Sequence, residues 1–528
     1  MNDRPPLPSP RTDLVDDDDA SSEARLGTKI TVGLAFATLL IHLVTNGRYG
    51  YFRDELYYIA CSRHLASGYV DMAPLCAWTL RLQSVIFGES LFALRLLPAI
   101  AGALTVALTG CLTRELGGRW WATALACVAA MAAPIYLGVG NFYSMNVFEP
   151  LFWMGCIYLL ARIINGASPR LWLAFGLTAG LGVENKHSFA FFGVGIVVAL
   201  LATPERRHLV RPWIWLGGVI ALAVALPNIL WQVRHHWATL ELLRNVARSD
   251  KNVVLGPGQF IAQQILIMNP AALPLWLGGL LWLLLARDGR RYRLLGIAYL
   301  VTLFEFIVLK GKHYYLAPVY PMLFAAGGVA VERFCAVRFR WIKPALVTAI
   351  IAVAALVAPT VLPILPPEKL LGYMRAIHFE PPRTEKSHTA ALPQLFADQF
   401  GWEELVRSVA RAYQKLAPAD QSRVAIFCQN YGQAGAVDFF GPGYGLPPAI
   451  CGHQNYYLWG PRDRTGELML IIDSVNGEER EQFQTVEDLG VVESSPWAMP
   501  WEQRQHLFLC HDLKVPLAEL WPKVKEWL

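Results

Sequence analysis

Charge is scarce in this chain. Only 16% of its 528 residues are Asp, Glu, Lys or Arg, while 54% are hydrophobic. Soluble proteins of this size carry about a quarter charged residues, so an ordinary soluble globule is excluded. The opening stretch "MNDRPPLPSPRTDLVDDDDASSEARLG" lacks the short basic region and small-residue cleavage site of a secretory signal. The first apolar block should therefore remain as an uncleaved anchor. There is no CxxC pattern, and "GPGYG" at 441–445 lacks the Lys-Ser/Thr of a phosphate loop and reads as a turn. His235 and His236 are adjacent, a poor ligand spacing, and are favoured as loop surface. The net charge of +5 sits in short loops between apolar blocks, so no nucleic-acid partner is indicated.

What the chain has in abundance is apolar blocks long enough to cross a bilayer core of about 30 Å. About eleven spans are expected, near 29–46, 91–112, 120–138, 147–164, 170–183, 187–203, 213–231, 259–285, 294–309, 314–331 and 342–362. Alternate loops, among them "TRELGGR", "TPERRHLVR" and "ARDGRRYR", are strongly basic and therefore cytosolic. An odd number of spans puts the C-terminus on the opposite, periplasmic or extracellular side. The expected fold class is an all-α polytopic membrane protein with a C-terminal α/β extracytoplasmic domain. Residues 1–28 read as a disordered cytosolic tail, 29–362 as the membrane domain and 363–528 as the outer domain.

The first outward segment, about 47–90, holds two helix-like pieces, "RDELYYIACSRHLAS" and "APLCAWTLRLQSVIFG". Short amphipathic helices of this kind lie in the membrane interface. A second outward loop, 232–258, is basic, and a third is the short "KGKHYY" at 310–315. In the C-terminal region "WEELVRSVARAYQKL" reads as an amphipathic helix, and "RVAIFCQ" and "ELMLIIDS" as buried strands. Cys61 and Cys76 share the first outward loop, and Cys428, Cys451 and Cys510 the outer domain. An oxidising compartment allows a disulfide in each group, with the pairing open.

Ionisable groups at the edge of a membrane are costly, and are therefore candidates for function. Four groups fall on the outward side: Arg53-Asp54-Glu55, Asp71, Glu149 just after Asn146, and the segments holding Lys186, His187, Lys310, Lys312 and His313. On a helix Asp54 shares a face with Tyr57 and Tyr58, while Glu55 points about 100° away. The competing role for Asp54 is helix capping. Glu149, followed by Pro150, also suits a helix start. Lysines suit phosphate as point charges, although snorkelling explains a single one equally well. Tyr314, Tyr315 and Tyr320 also fit an interfacial aromatic belt.

Several motifs together resemble the polytopic GT-C glycosyltransferases that use polyprenyl-phosphate sugars. They are "RDELYY" after the first span, "GYVDMAPL", "NVFEP" opening the fourth span, "NKHS", and "LKGKHYYLAPVYP". The similarity is to the bacterial branch of the dolichyl-phosphate-mannose–protein mannosyltransferase-like family (glycosyltransferase family 39-like), with the lipid A aminoarabinose transferase as a cousin. It covers about 29–335. The resemblance implies an inverting transfer of sugar from a polyprenyl-phosphate donor to an acceptor hydroxyl on the outer face of a bacterial inner membrane. It implies Asp54 as general base and Glu149 as a second active-site carboxylate. Lys186, Lys310, Lys312 and Arg53 are then candidates for the leaving phosphate, and Glu55, Tyr57, Tyr58, Asp71, Asn146, His187, His313, Tyr314 and Tyr315 for further substrate contacts. No cofactor is implied, a divalent metal stays open, and the acceptor is unspecified.

The match has departures. "MAP" stands where the family has a Pro-Pro pair, and Met72 stands where the aminoarabinose transferases carry a basic residue. The C-terminal domain does not resemble the mannosyltransferases' own module, so protein mannosylation is not implied. The competing class is a transporter of lipid-linked intermediates. Internal inverted repeats would favour it, and none is evident.

Overall fold

The computed structural model describes residues 14–249, 251–336, 339–380, 385–386, 390–474 and 478–528. Helix α1 covers Leu14–Thr45, and two short helices follow, α2 (Arg53–Arg63) and α3 (Leu75–Phe87). The chain then runs through α4 (Leu96–Glu115), α5 (Trp120–Met131), α6 (Met145–Ile164), α7 (Leu171–Asn185), α8 (Phe189–Ala202) and α9 (Pro212–Arg234). After α10 (Ala238–Arg248) come α11 (Pro257–Ile267), α12 (Leu273–Leu285), α13 (Arg293–Val308), α14 (Tyr320–Phe334) and α15 (Ile342–Val361).

Helix α1 begins fifteen residues before the expected first span at 29, so 14–28, expected to be disordered, is helical. By length and composition, six helices among the described residues can cross a membrane, or up to eight if each bent pair counts as one. The expected span at 259–285 is not one straight helix. It bends by 100° between α11 and Pro270–Leu285, where Asn269 sits at φ 70° and Pro270 lacks the N–H to continue the ladder. The stretch 120–138 likewise breaks ahead of Pro134. Helices α7 and α13 have only 15 and 16 residues. The "GVENKHS" turn does separate two helices, α7 ending at Asn185 and α8 starting at Phe189.

Helices α7 and α9 pack back to back through glycine. A methyl group added at Gly176 would run into the Gly217 backbone, and one at Gly217 into Trp172. Small residues permit this approach where lipid tails supply no hydrophobic drive.

The C-terminal region, expected to begin near 363, includes α16 (Trp402–Gln414), β1 (Ala425–Cys428), α17 (Tyr431–Phe440), β2 (Ala449–Cys451), β3 (Leu468–Asp473), β4 (Phe483–Val491) and β5 (His506–Leu513). The strand order is β2-β1-β3-β5-β4, parallel across the first three and antiparallel across the last two pairings. One sheet face packs Ile426, Leu470 and Leu507 against Leu405 and Val409 of α16. That same apolar cluster continues into Leu56, Ile59 and Ala60 of α2. Helix α2 is therefore no surface helix: its residues from Glu55 to Ser62 are all buried. Helix α3 does keep an exposed apolar face of Trp78, Leu82, Ile86 and Phe87, as an interfacial helix should. All nine cysteines are unpaired.

Candidate active site

The first turn of α2 sorts its two acids by geometry. Glu55 Oε2 accepts from the backbone N–H of Phe52 (2.8 Å), capping the helix. Glu55 also accepts from Arg95 Nε (3.0 Å) and Nη2 (2.9 Å) and from the Tyr143 N–H (2.8 Å). With both side chains 0% exposed, Glu55 has no open face for a ligand, contrary to its place among the expected substrate contacts. The capping role that competes for Asp54 thus falls to its neighbour. Asp54 keeps 29% of its side chain exposed. Its Oδ1 accepts from the Tyr431 hydroxyl at 2.8 Å, and Arg53 Nε stands 3.7 Å away.

Around this carboxylate the structure gathers several expected residues. The Tyr57 hydroxyl donates to Asp71 Oδ1 (2.7 Å), and Asn455 donates to both. Burial pushes the Asp71 carboxyl up to about 6, against which the Tyr57 hydrogen bond works. Tyr58 is buried with its ring 6.4 Å from that of Tyr143. Arg53 reaches Asp398 at 3.8 Å, and burial pushes the Asp398 carboxyl up to about 7 despite that guanidinium.

The second half of the site lies at the mouth of α6. Glu149 is in the second turn and 2% exposed. It caps nothing: Lys186 Nζ lies 3.0 Å from Oε2, and the Ser188 hydroxyl donates to Oε1 at 2.6 Å. Lys186 also donates to Asn146 Oδ1 (2.8 Å) and stands 4.1 Å over the Tyr315 ring and 5.8 Å from that of Tyr314. Asn146, Glu149, Pro150, Tyr314 and Tyr136 line a narrow cleft. Tyr314 stands within electrostatic reach of both Asp54 and Glu149, joining the two halves.

Lys312 stands within electrostatic reach of Glu385. Burial pushes that carboxyl up, but Arg53, Lys312 and Lys251 together outweigh it and hold Glu385 below its ordinary range. Lys251 is a cation that the sequence reading passed over. Its only signal was membership of the basic outward loop, and a contact with a strand bridge at Asn252–Glu385 brings it in. Three expected residues stand apart. His187 is held by Asn228 of α9 (2.9 Å), Lys310 is exposed at φ 55°, and His313 is buried, its carbonyl accepting from Gln264 (2.8 Å). Among the described residues no three His, Cys, Asp or Glu side chains converge as a metal cage.

Residues 71–231 match the family model described as dolichyl-phosphate-mannose-protein mannosyltransferase. The fold superposes on ArnT from Cupriavidus metallidurans bound to undecaprenyl phosphate with TM-score 0.62 at 17% identity, covering 90% of this chain and 97% of that one. The chain shares the fold of ArnT. Lipid A galacturonosyltransferase RgtD of Rhizobium johnstonii is 27% identical over 249 residues, 46% of this chain and 51% of that protein. The undecaprenyl phosphate-alpha-4-amino-4-deoxy-L-arabinose arabinosyl transferase of Pseudomonas aeruginosa is 26% identical over 226 residues, 38% and 40% of the two chains. The chain thus spans about half or less of the length of these curated relatives. The family match opens at Asp71 and includes Glu149 and Lys186, and Asp54 lies outside it.

Proposed function

We propose that this chain is an inverting glycosyltransferase that moves a sugar from a polyprenyl-phosphate donor to an acceptor hydroxyl on the outer face of the inner membrane. The observation that carries the reading is the contrast within one helical turn. Glu55 is sealed into a buried ion pair, while Asp54 stays partly open to solvent beside Arg53. Asp54 would take the proton of the acceptor O–H. The acceptor oxygen would bond to the anomeric carbon from the face opposite the phosphate, and the C–O bond to the phosphate would break, its electron pair leaving with the polyprenyl phosphate. Such a donor is already activated, so positioning, one base and charge stabilisation supply most of what the reaction needs. Lys312, Lys251 and Arg53 would meet the phosphate, and Glu149, held by Lys186, lines the adjoining cleft.

The names of the relatives favour an envelope lipid as acceptor and an acidic or amino sugar as cargo. The test is incubation of the purified full chain with undecaprenyl-phosphate-linked hexose, hexuronate and amino-pentose, with lipid A as acceptor. Consumption of one donor with release of undecaprenyl phosphate is expected. Lipid movement across vesicles with no donor consumed would overturn the reading in favour of a transporter.

A further inference from the structure

Among the described residues, the C-terminal domain makes a hydrogen bond to the candidate base through Tyr431. Tyr431 is the first residue of α17, and its hydroxyl donates to Asp54 Oδ1 at 2.8 Å. The position of that hydroxyl is fixed from several directions. Asn430 caps α17, its side chain accepting from the N–H groups of Gly432 and Gln433 at 2.9 and 3.0 Å. Glu502 ties the cap down, accepting from Asn430 at 3.0 Å and from Gln433 at 2.9 Å. The Tyr431 ring packs against Tyr57 with centroids 4.7 Å apart and against His453 at 4.8 Å, and the Arg53 guanidinium lies 5.5 Å from its centre.

Two glycines let α17 come this close to α2. A methyl group at Gly435 would sit 2.9 Å from the Leu56 carbonyl carbon, and one at Gly432 would sit 2.6 Å from Arg53 Cγ. They are three residues apart and so share a face.

We propose that Tyr431 is a positioning residue for Asp54, so that the C-terminal domain supplies part of the active site. This rests on the reading of Asp54 as the base. A carboxylate held through Oδ1 presents Oδ2 to the acceptor hydroxyl in a fixed orientation, which is the entropic part of general-base catalysis. Burial, reinforced by the charge of Asp54, keeps the Tyr431 phenol well above its ordinary range, so it remains an O–H donor.

The experiment uses the full chain and whichever undecaprenyl-phosphate sugar of the panel it consumes. Tyr431→Phe keeps the ring packing and removes only the hydroxyl. We expect kcat to fall about 10- to 100-fold, the scale of one hydrogen bond to a charged group, with KM for donor and acceptor little changed and the melting temperature preserved. Gly435→Val, which wedges α17 away from α2, should lower kcat in the same way. Adding Tyr431→Phe to it should cost little more, because both act through one contact. A wild-type kcat in Tyr431→Phe, with Asp54→Asn inactive, overturns the positioning role and leaves the base standing. Full turnover by Asp54→Asn, or no turnover by the wild-type chain with any donor, overturns the underlying reading and the proposal with it.

Discussion

Arg95 and Glu55 form an ion pair that no solvent reaches, Nη2 to Oε2 at 2.9 Å with both side chains 0% exposed. Arg95 also donates to the carbonyls of Asn46 (3.1 Å) and Gly50 (2.8 Å). One side chain thereby pins the end of α1, the link after it and the first turn of α2. Asp54 sits on that platform, one residue before Glu55.

Breaking the pair should therefore show as stability rather than chemistry. Arg95→Leu leaves a buried carboxylate unpaired, a loss of about 3–5 kcal/mol, read as a lower melting temperature or a poor yield of monodisperse protein. Donor binding by whatever protein still folds should be nearly normal. A stable, inactive Arg95→Leu would mean that the pair takes part in the reaction instead.

Asp54→Asn should abolish sugar transfer while the melting temperature stays near wild type, since Asn can still accept from Tyr431. General-base removal costs about 10²–10⁴ in rate. Single-turnover consumption of radiolabelled donor measures it directly.

Glu149→Gln should lower transfer more than it lowers stability. The amide oxygen can still accept one hydrogen bond from Ser188 or Lys186, but Lys186 loses its charge partner 3.0 Å away. Lys186→Met should be worse on both counts, because it leaves a carboxylate that is 2% exposed without a cation. Thermal melting and turnover measured side by side separate the two effects.

Asp71 and Asp398 are raised from 3.8 to about 6 and about 7, chiefly by burial. A carboxyl raised on folding favours the folded state most below its unfolded value. That contribution is full under about pH 4 and is lost as pH climbs through 6 and 7. The double variant Asp71→Asn, Asp398→Asn should accordingly show a shallower fall in melting temperature between pH 4 and 7 than the wild type. An unchanged slope would mean that neither group titrates in this window.

Gly217→Val should separate α7 from α9, because the added side chain meets the Trp172 backbone, which cannot move aside. Lower expression of folded protein in membranes is the expected outcome, with Gly218→Val, which faces open space, as the control.

The apolar blocks, the polar C-terminal region and the positions of the charged motifs could all be read from the residues in order. Hydropathy works along the chain, so it located each apolar stretch. It could not decide how those stretches bend, because the breaks at Asn269–Pro270 and at Pro134 are matters of packing as well as composition. Helical spacing separated Asp54 from Glu55 in direction, yet gave no means of knowing which one faces a buried arginine forty residues on. Only the tertiary structure brought Arg95 to Glu55, Lys186 to Glu149, and Lys251 and Tyr431 to the same site, for these contacts join residues 37 to 377 positions apart. Local sequence fixes which groups are available and which way they leave their own helix. The partner that each one meets is settled by the docking of α17 on α2 and of α7 on α6, and that depends on surfaces assembled from the whole chain.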